Sequence, residues 1–191
     1  MLQHLQASLT SRLQEAAVAD FSVAIRHLNS GEEYLYNADE PLYAASIIKL
    51  PIMSAVFEQA HLGHLRLTDK IAMHDEDKVT GSGLLQHLSH GLELTIHDLL
   101  TLMIIDSDNT ATNLLVDRVG IEAIQRLLLD LDLKQTQFHH KLQILPAKPN
   151  PNRNRITARE MMHLMSQIAT GQVVSQKACR EMIRILYDAA R

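Results

Sequence analysis

A serine and a lysine three residues apart are the first side chains in this sequence that could do chemistry together. In "YAASIIKLP", residues 43–51, Ser46 stands near the start of an apolar helical run, and Lys49 follows one turn later on nearly the same face. The free amides of a helix N-terminus favour negative charge on a serine oxygen, and apolar neighbours lower the pKa of a lysine. Two interpretations stay open: a nucleophile with its base, or a helix cap followed by an exposed lysine.

Three short polar residues interrupt a second apolar helical run about sixty residues later. They are Ser107, Asp108 and Asn109, within "MIIDSDNTATNLL". Either they form the junction of two helices, with Asp108 or Ser107 capping the second helix, or they present their side chains to a cleft. A serine–lysine pair alone is common by chance, but both motifs together are specific.

These motifs resemble those of the penicillin-recognising serine hydrolases, and most closely those of the class A β-lactamases. That family carries Ser-x-x-Lys, Ser-Asp-Asn and Lys-Thr-Gly motifs. "SIIKLPIM" is similar to the first motif and "SDNTATNLL" to the second, and "GSGLLQHL", "LTIHDLLTLMII" and "ITAREMMHLM" also look like the family. The resemblance covers the chain from about residue 20. It implies an α+β fold of the β-lactamase/transpeptidase type.

The resemblance also implies a role for each of four side chains. Ser46 would be the acylated nucleophile, with its own backbone amide as half of the oxyanion hole, and Lys49 would activate it. Ser107 would relay a proton to the leaving β-lactam nitrogen, and Asn109 would orient Lys49 and bind the side-chain amide of the substrate. The implied function is that of a serine acyl-enzyme hydrolase acting on β-lactam or peptidoglycan-like amides, with no metal and no other cofactor.

The long segment between residues 132 and 156 departs from the family's pattern. Class A β-lactamases carry there a glutamate that activates the deacylating water. This chain has no acidic residue between Asp132 and Glu160, and the region instead contains His139, His140, Lys141 and Gln143. A histidine could serve as the base, or both histidines could be solvated loop residues. The resemblance therefore predicts acylation more firmly than hydrolysis of the acyl-enzyme.

The Lys-Thr-Gly motif is the second departure, because the sequence does not contain it. In the family it lies roughly a hundred residues beyond Ser-Asp-Asn, on a strand at the edge of the site. The chain ends at Arg191, so we interpret it as a fragment or truncation of a larger hydrolase. Two alternatives from other functional classes stay open. One is a non-catalytic penicillin-binding or sensor module, and the other is an inert structural fragment that completes its sheet through a partner chain.

Hydrophobic periodicity predicts the elements that position these motifs. An N-terminal amphipathic helix is indicated by Leu2, Leu5, Leu9, Leu13 and Ala16/Ala17, and "FSVAIRHL", "NSGE" and "EYLYN" read as a β-hairpin. We predict helices at about 46–62, 95–106, 109–118, 121–131, 157–169 and 175–189, with Thr95/Asp98 and Thr157/Glu160 as capping boxes and Ser175 as a further cap. Residues 1–45 would thus carry the helix and hairpin of the α/β part, and residues 46–191 a helical domain with both motifs.

The hairpin is expected to pack its apolar face (Phe21, Val23 and Ile25, or the alternate residues) on a helix. Two strands alone make a marginal sheet. Because the later strands of the family's sheet are missing, one edge should stay unpaired or be covered by another copy of the chain in a homo-oligomer.

Composition excludes several other functions. The chain has 191 residues, of which 46% are hydrophobic and 21% charged, as in a soluble globular protein. A net charge of -4 without a basic stripe argues against a nucleic-acid partner. No apolar run is long enough to span a membrane, and no signal peptide is visible, so a secreted or periplasmic location is implied by the resemblance only. The single Cys179 lies in an apolar helical pattern, which predicts an inert buried thiol.

Overall fold

The computed structural model describes residues 8–12, 21–142 and 152–189. Residues 8–12 are helical, in agreement with the middle of the predicted N-terminal helix. The other positions that indicated this helix (Leu2, Leu5, Leu13 and Ala16/Ala17) lie outside the described residues. Gln143 of the long segment also lies outside them.

The predicted hairpin is confirmed. Strands β1 (Val23–Arg26) and β2 (Glu33–Tyr36) pair antiparallel, with Val23 opposite Tyr36 and Arg26 opposite Glu33. The ring of Phe21 stacks on Tyr36 with 5.3 Å between the ring centroids. Within the described residues these two strands form a two-stranded sheet, so each has one unpaired edge there.

The predicted helices after the hairpin are confirmed. In the described part of the chain they are α1 (Lys49–His61), α2 (Ile96–Ile105), α3 (Asn109–Val119), α4 (Ile121–Asp130), α5 (Ala158–Ala169) and α6 (Gln176–Asp188). The largest difference is at the start of α1, where Ala45–Ile48 form a separate 3-10 turn. Helix α5 contacts β1, and the predicted apolar face of the hairpin and the methionines of α5 line a common groove.

The predicted helix caps are confirmed with one correction. Thr95 and Asp98 form a complete capping box at the start of α2, and the hydroxyl of Ser175 caps α6. Thr157 caps α5 by accepting a hydrogen bond from the Glu160 amide. The Glu160 carboxylate, however, accepts bonds from residues 135 and 136 rather than from Thr157. The predicted second box is therefore only half formed, because long-range donors take the place of the local one.

Short strands that periodicity did not predict connect distant segments. Strand β3 (Leu42–Tyr43) pairs antiparallel with β6 (Arg155–Ile156), and β4 (Lys70–Ala72) pairs antiparallel with β5 (Glu93–Thr95). Segments of two or three residues are too short to show the alternation that identifies a strand. The first pair has a structural consequence, because it holds the end of the long segment against the residues that precede Ser46.

Helix α1 lies at the centre of the molecule. It packs against α2, α3, α4 and α6, and its residues Ile52, Met53, Ala55 and Val56 are completely buried. A helix surrounded by other helices is buried on most of its surface, and Lys49 and all of residues 51–57 of α1 are buried. Cys179 of α6 belongs to the same core at 1% exposure, so the predicted buried thiol is confirmed. None of the helices in the described ranges has the length and apolar character that crossing a membrane requires.

Candidate active site

Ser46 is exposed in the 3-10 turn that immediately precedes α1. Ala45, the residue before it, has a positive φ of 43°. A non-glycine residue in this region stores about 1–3 kcal/mol of strain, and such residues cluster at functional sites. The turn is held from behind, since the Ala44 amide donates to the Asn154 carbonyl at 3.0 Å. The Ser46 hydroxyl therefore lies on a turn whose backbone is strained and is held by a hydrogen bond.

Lys49 is buried, with 2% of its surface exposed. Its Nζ donates to the Ser107 carbonyl at 2.5 Å, to Ser107 Oγ at 2.9 Å and to Asn109 Oδ1 at 3.1 Å. An ammonium group has three N–H donors, and these three acceptors satisfy all of them. The interpretation of Lys49 as an exposed residue behind a helix cap is therefore wrong.

Ser107 lies between the other two groups. Its hydroxyl accepts from Lys49 and donates to Ser46 Oγ at 2.9 Å. Its backbone is also strained, with φ at 53°. Among the described residues, no direct hydrogen bond joins Lys49 to Ser46. The structure brings together all four residues singled out in the sequence, and it places Ser107 in the path between nitrogen and nucleophile.

Burial lowers the pKa of Lys49 from 10.5 to about 8, against the opposing effect of the carboxylates of Asp108 and Asp106. Asp108 is completely buried, where it caps α3 by accepting from the Ala111 amide at 2.8 Å. The capping function proposed for Asp108 or Ser107 therefore belongs to Asp108. Near pH 8 the lysine is close to its midpoint, the range in which it can both accept and return a proton.

Residues 79–86 contact the Ser-Asp-Asn motif, and we call them the rim segment. The Asn109 amide donates to the Ser82 carbonyl at 3.0 Å, and the Leu85 amide donates to Asp108 Oδ2 at 2.8 Å. Gly81 and Gly83 have positive φ of 117° and 114°, and a Cβ on Gly83 would lie 2.3 Å from Asp108 Cγ. In the sequence, this segment shows only a likeness to the family. The two glycines flanking a serine were the signal that could have revealed the close approach.

Two buried asparagines fix the described start of the long segment. Asn113 of α3 exchanges two bonds with the backbone of Leu142, at 2.9 and 2.8 Å. Asn154 accepts from the His139 amide at 2.8 Å and donates to the His140 carbonyl at 2.9 Å. The sequence does not point to either residue, because an asparagine that binds a distant backbone has no local pattern.

The side chains of the long segment that the structure describes do not join the serine–lysine cluster. His139 Nε2 contacts Gln137 Oε1, His140 Nδ1 contacts the Lys141 carbonyl, and Lys141 pairs with Asp117. Neither histidine has a hydrogen bond to the cluster among the described residues. Nor is there, in those residues, a group of three side chains suited to holding a metal ion.

Comparison with known proteins identifies the class to which this fold belongs. A solved β-lactamase from Sphaerobacter thermophilus superimposes with a TM-score of 0.89 at 35% sequence identity, over 96% of this chain and 69% of that chain. The structure of PBP-A matches with a TM-score of 0.87 at 24% identity, over 98% of this chain and 69% of that chain, which is a likeness of fold alone. The architecture is the α+β, β-lactamase-like fold that the sequence motifs implied.

Sequence comparison agrees with the structural one. The model of the β-lactamase enzyme family matches residues 4–190. The β-lactamase L2 of Stenotrophomonas maltophilia is 27% identical over 180 residues, which are 92% of this chain and 58% of that protein. The chain belongs to the β-lactamase enzyme family, and it spans a little over half the length of this curated relative.

Proposed function

We propose that the chain carries the acylation machinery of a serine hydrolase that acts on β-lactams or peptidoglycan-like amides. The observation that carries this proposal is the continuous line of hydrogen bonds from Ser46 Oγ through Ser107 Oγ to Lys49 Nζ. Acyl transfer requires a nucleophile, a base and a proton path that converge on one carbonyl. The β-lactamase family of the chain supports the same reaction class.

In the acylation step, Ser46 Oγ attacks the carbonyl carbon of the amide or lactam. Its proton passes to Ser107 Oγ while the Ser107 proton moves to neutral Lys49, which is possible because hydroxyl hydrogens rotate between partners. The reverse transfer delivers a proton from Lys49 through Ser107 to the leaving nitrogen as the C–N bond breaks. Protons balance, and the product is an ester on Ser46.

Asn109 and the backbone of Ser46 complete the proposed site. Asn109 Oδ1 accepts from Lys49 Nζ, so the side-chain amide of Asn109 orients Lys49. The Nδ2 of the same amide would donate to an acyl side chain of the substrate. The Ser46 amide would supply one oxyanion donor. Among the described residues we assign no second oxyanion donor.

Deacylation should be slow. The nearest acidic residue after the long segment, Glu160, directs one carboxylate oxygen to the Gln135 amide and the other to Thr136. It is therefore occupied in holding the backbone. General-base assistance contributes typically about a hundredfold to ten-thousandfold, so its loss favours a long-lived adduct.

The test is intact-protein mass spectrometry of the full-length protein after brief exposure to benzylpenicillin. We expect an adduct with the mass of the intact penicillin that decays slowly, is absent in Ser46→Ala, and forms at least about a hundredfold more slowly in Lys49→Ala and Ser107→Ala. Ser166→Ala, a serine of α5, is the matched control and should react as the parent does. Failure of the parent to form an adduct would overturn the proposal.

A penicillin-binding or sensor module is the second candidate function. The absence of an acidic residue from the long segment favours it, because such a module needs acylation without turnover. Steady hydrolysis of a chromogenic cephalosporin over many equivalents of enzyme would exclude it. An inert fragment that completes its sheet through a partner chain would show neither adduct nor turnover.

The location and the assembly of the protein are further parts of this proposal. Peptidoglycan-like substrates lie outside the cytoplasm, so we place the protein there. We also propose that a second copy of the chain covers the open edge of β1. Beside this edge lies a groove of about 800 Å³, lined by apolar side chains that include Val23 and Ile25 of β1 and Met161, Met162 and Met165 of α5.

A further inference from the structure

Gln86 braces the rim segment from within. Its side-chain Nε2 donates to the Gly81 carbonyl at 2.7 Å and to the Gly83 carbonyl at 3.0 Å. These are the two positive-φ glycines of the segment. A single amide group therefore ties together both ends of the Gly81–Gly83 turn.

The braced turn lies directly on Asn109. The Ser82 carbonyl, between the two braced carbonyls, accepts from the Asn109 amide at 3.0 Å. A Cβ on Gly81 would lie only 2.8 Å from Asn109 Nδ2, so the turn also borders the side chain of Asn109. The other terminal atom of that side chain, Oδ1, accepts a hydrogen bond from Lys49 Nζ. Three consecutive contacts thus lead from Gln86 to the base of the site.

We propose that Gln86 is a positioning residue. It holds the Gly81–Gly83 turn against Asn109 and so orients the side-chain amide of Asn109 toward Lys49 and the substrate. This inference rests on the proposed acylation of Ser46. Gln86 itself touches none of the reacting groups. Its effect on the reaction passes through the turn.

The polarity of the brace distinguishes positioning from simple packing. Gln86→Glu keeps the shape but replaces the donor with an acceptor, so a carboxylate would face two carbonyl oxygens. Gln86→Ala removes the donor and leaves two carbonyls that water can reach at this exposed segment. Gln86→Lys keeps a hydrogen-bond donor at this position and carries no acceptor. The expected order of acylation rates is therefore parent, lysine, alanine and glutamate, from fastest to slowest.

The experiment measures the second-order rate of Ser46 acylation by benzylpenicillin in the full-length protein, by quenched mass spectrometry. We expect a loss of about thirtyfold in Gln86→Glu, about fivefold in Gln86→Ala and less than threefold in Gln86→Lys. Gln59→Glu and Gln59→Lys, at the far end of α1, control for the change in charge and should leave the rate unchanged. Equal rates for the three Gln86 variants would overturn the inference.

The pH profile supplies a readout that a purely structural role would not move. Asn109 Oδ1 stabilises the charged form of Lys49, which also faces the carboxylates of Asp106 and Asp108. Loosening Asn109 in Gln86→Ala should therefore shift the midpoint of the acylation profile to lower pH. An unchanged midpoint would contradict the inference.

Hydrogen exchange separates failure of this inference from failure of the proposed function. The backbone N–H of Asn109 donates to the Ser82 carbonyl. Its hydrogen should exchange faster in Gln86→Glu than in the parent, whether or not penicillin reacts. If the parent forms no adduct, the proposed function is wrong and the catalytic part of the inference fails with it. If the adduct forms and both exchange and rate are unchanged in Gln86→Glu, only the inference is wrong.

Discussion

At the scale of single residues, the chemistry of this site depends on a lysine that the fold buries but does not neutralise. Lys49 loses almost all contact with water, and three oxygen acceptors and two nearby carboxylates retain its charge in part. Burial without these partners would drive the proton off, and partners without burial would leave a lysine of ordinary basicity. The balance places its pKa near 8.

The pH dependence of acylation follows from this balance. Lys49 must be neutral to accept a proton, and its folded-state pKa of about 8 lies below the ordinary 10.5. The neutral fraction rises with pH through this value, so the acylation rate should increase about tenfold from pH 7 to pH 9 and level off above. Quenched mass spectrometry at a series of pH values measures the acylation rate. A profile already flat at pH 7 would show that Lys49 is not the base.

At the scale of elements, the site is the junction of a turn, a helix boundary and the rim segment. The turn before α1 provides Ser46, and the break between α2 and α3 provides Ser107 and Asn109. The rim segment packs on that break so closely that its glycines have no room for a side chain. Hydrogen bonds hold this irregular backbone in place: the turn is bonded to Asn154, and the rim segment is bonded to the start of α3.

Gly83→Ala tests this close packing. Its Cβ would lie 2.3 Å from Asp108 Cγ and 2.5 Å from Asp108 Cα, so either the rim segment or Asp108 must move. We expect a loss of about 2–4 kcal/mol in the free energy of unfolding, from the contact and from strain at positive φ. Gly91→Ala is the matched control, because Gly91 also has a positive φ but no atom within 4 Å of its Cβ position. Denaturant unfolding should show a loss about 2 kcal/mol smaller for the control; equal losses would contradict the packing argument.

At the scale of the whole molecule, the described helices share one buried hydrophobic core, while the hairpin has a free edge in the described residues. Helix α1 is enclosed by its neighbours, whereas β1 is flanked by β2 and by the groove that α5 lines. An exposed strand edge beside an apolar groove favours association with another chain.

Oligomerisation through this surface can be measured directly. We expect light scattering of the 191-residue chain after size-exclusion chromatography to show a dimer that dissociates on dilution. Met165→Lys, which puts a charge into the groove, should give a monomer. Leu129→Lys, at a more exposed apolar residue of α4, should leave the dimer intact. A parent protein that is monomeric at every concentration would rule out the proposed self-association.

Local patterns determined much of this structure from the sequence alone. The helices begin at Thr95, Thr157 and Ser175 caps, because a hydroxyl that accepts a hydrogen bond from an amide three residues on is a local interaction. The hairpin also follows from adjacent residues. The residues of the candidate site were named from the sequence because their types and spacing resemble a known family.

Only the tertiary structure decided how those residues connect. The position of Ser107 between Lys49 and Ser46 depends on two segments about sixty residues apart, and no periodicity encodes that distance. Asn113 and Asn154 likewise hold the long segment through bonds between their side chains and distant carbonyls or amides. An amide side chain can bind any backbone group that the fold brings near it, so its partner is determined by packing and not by its neighbours in the chain.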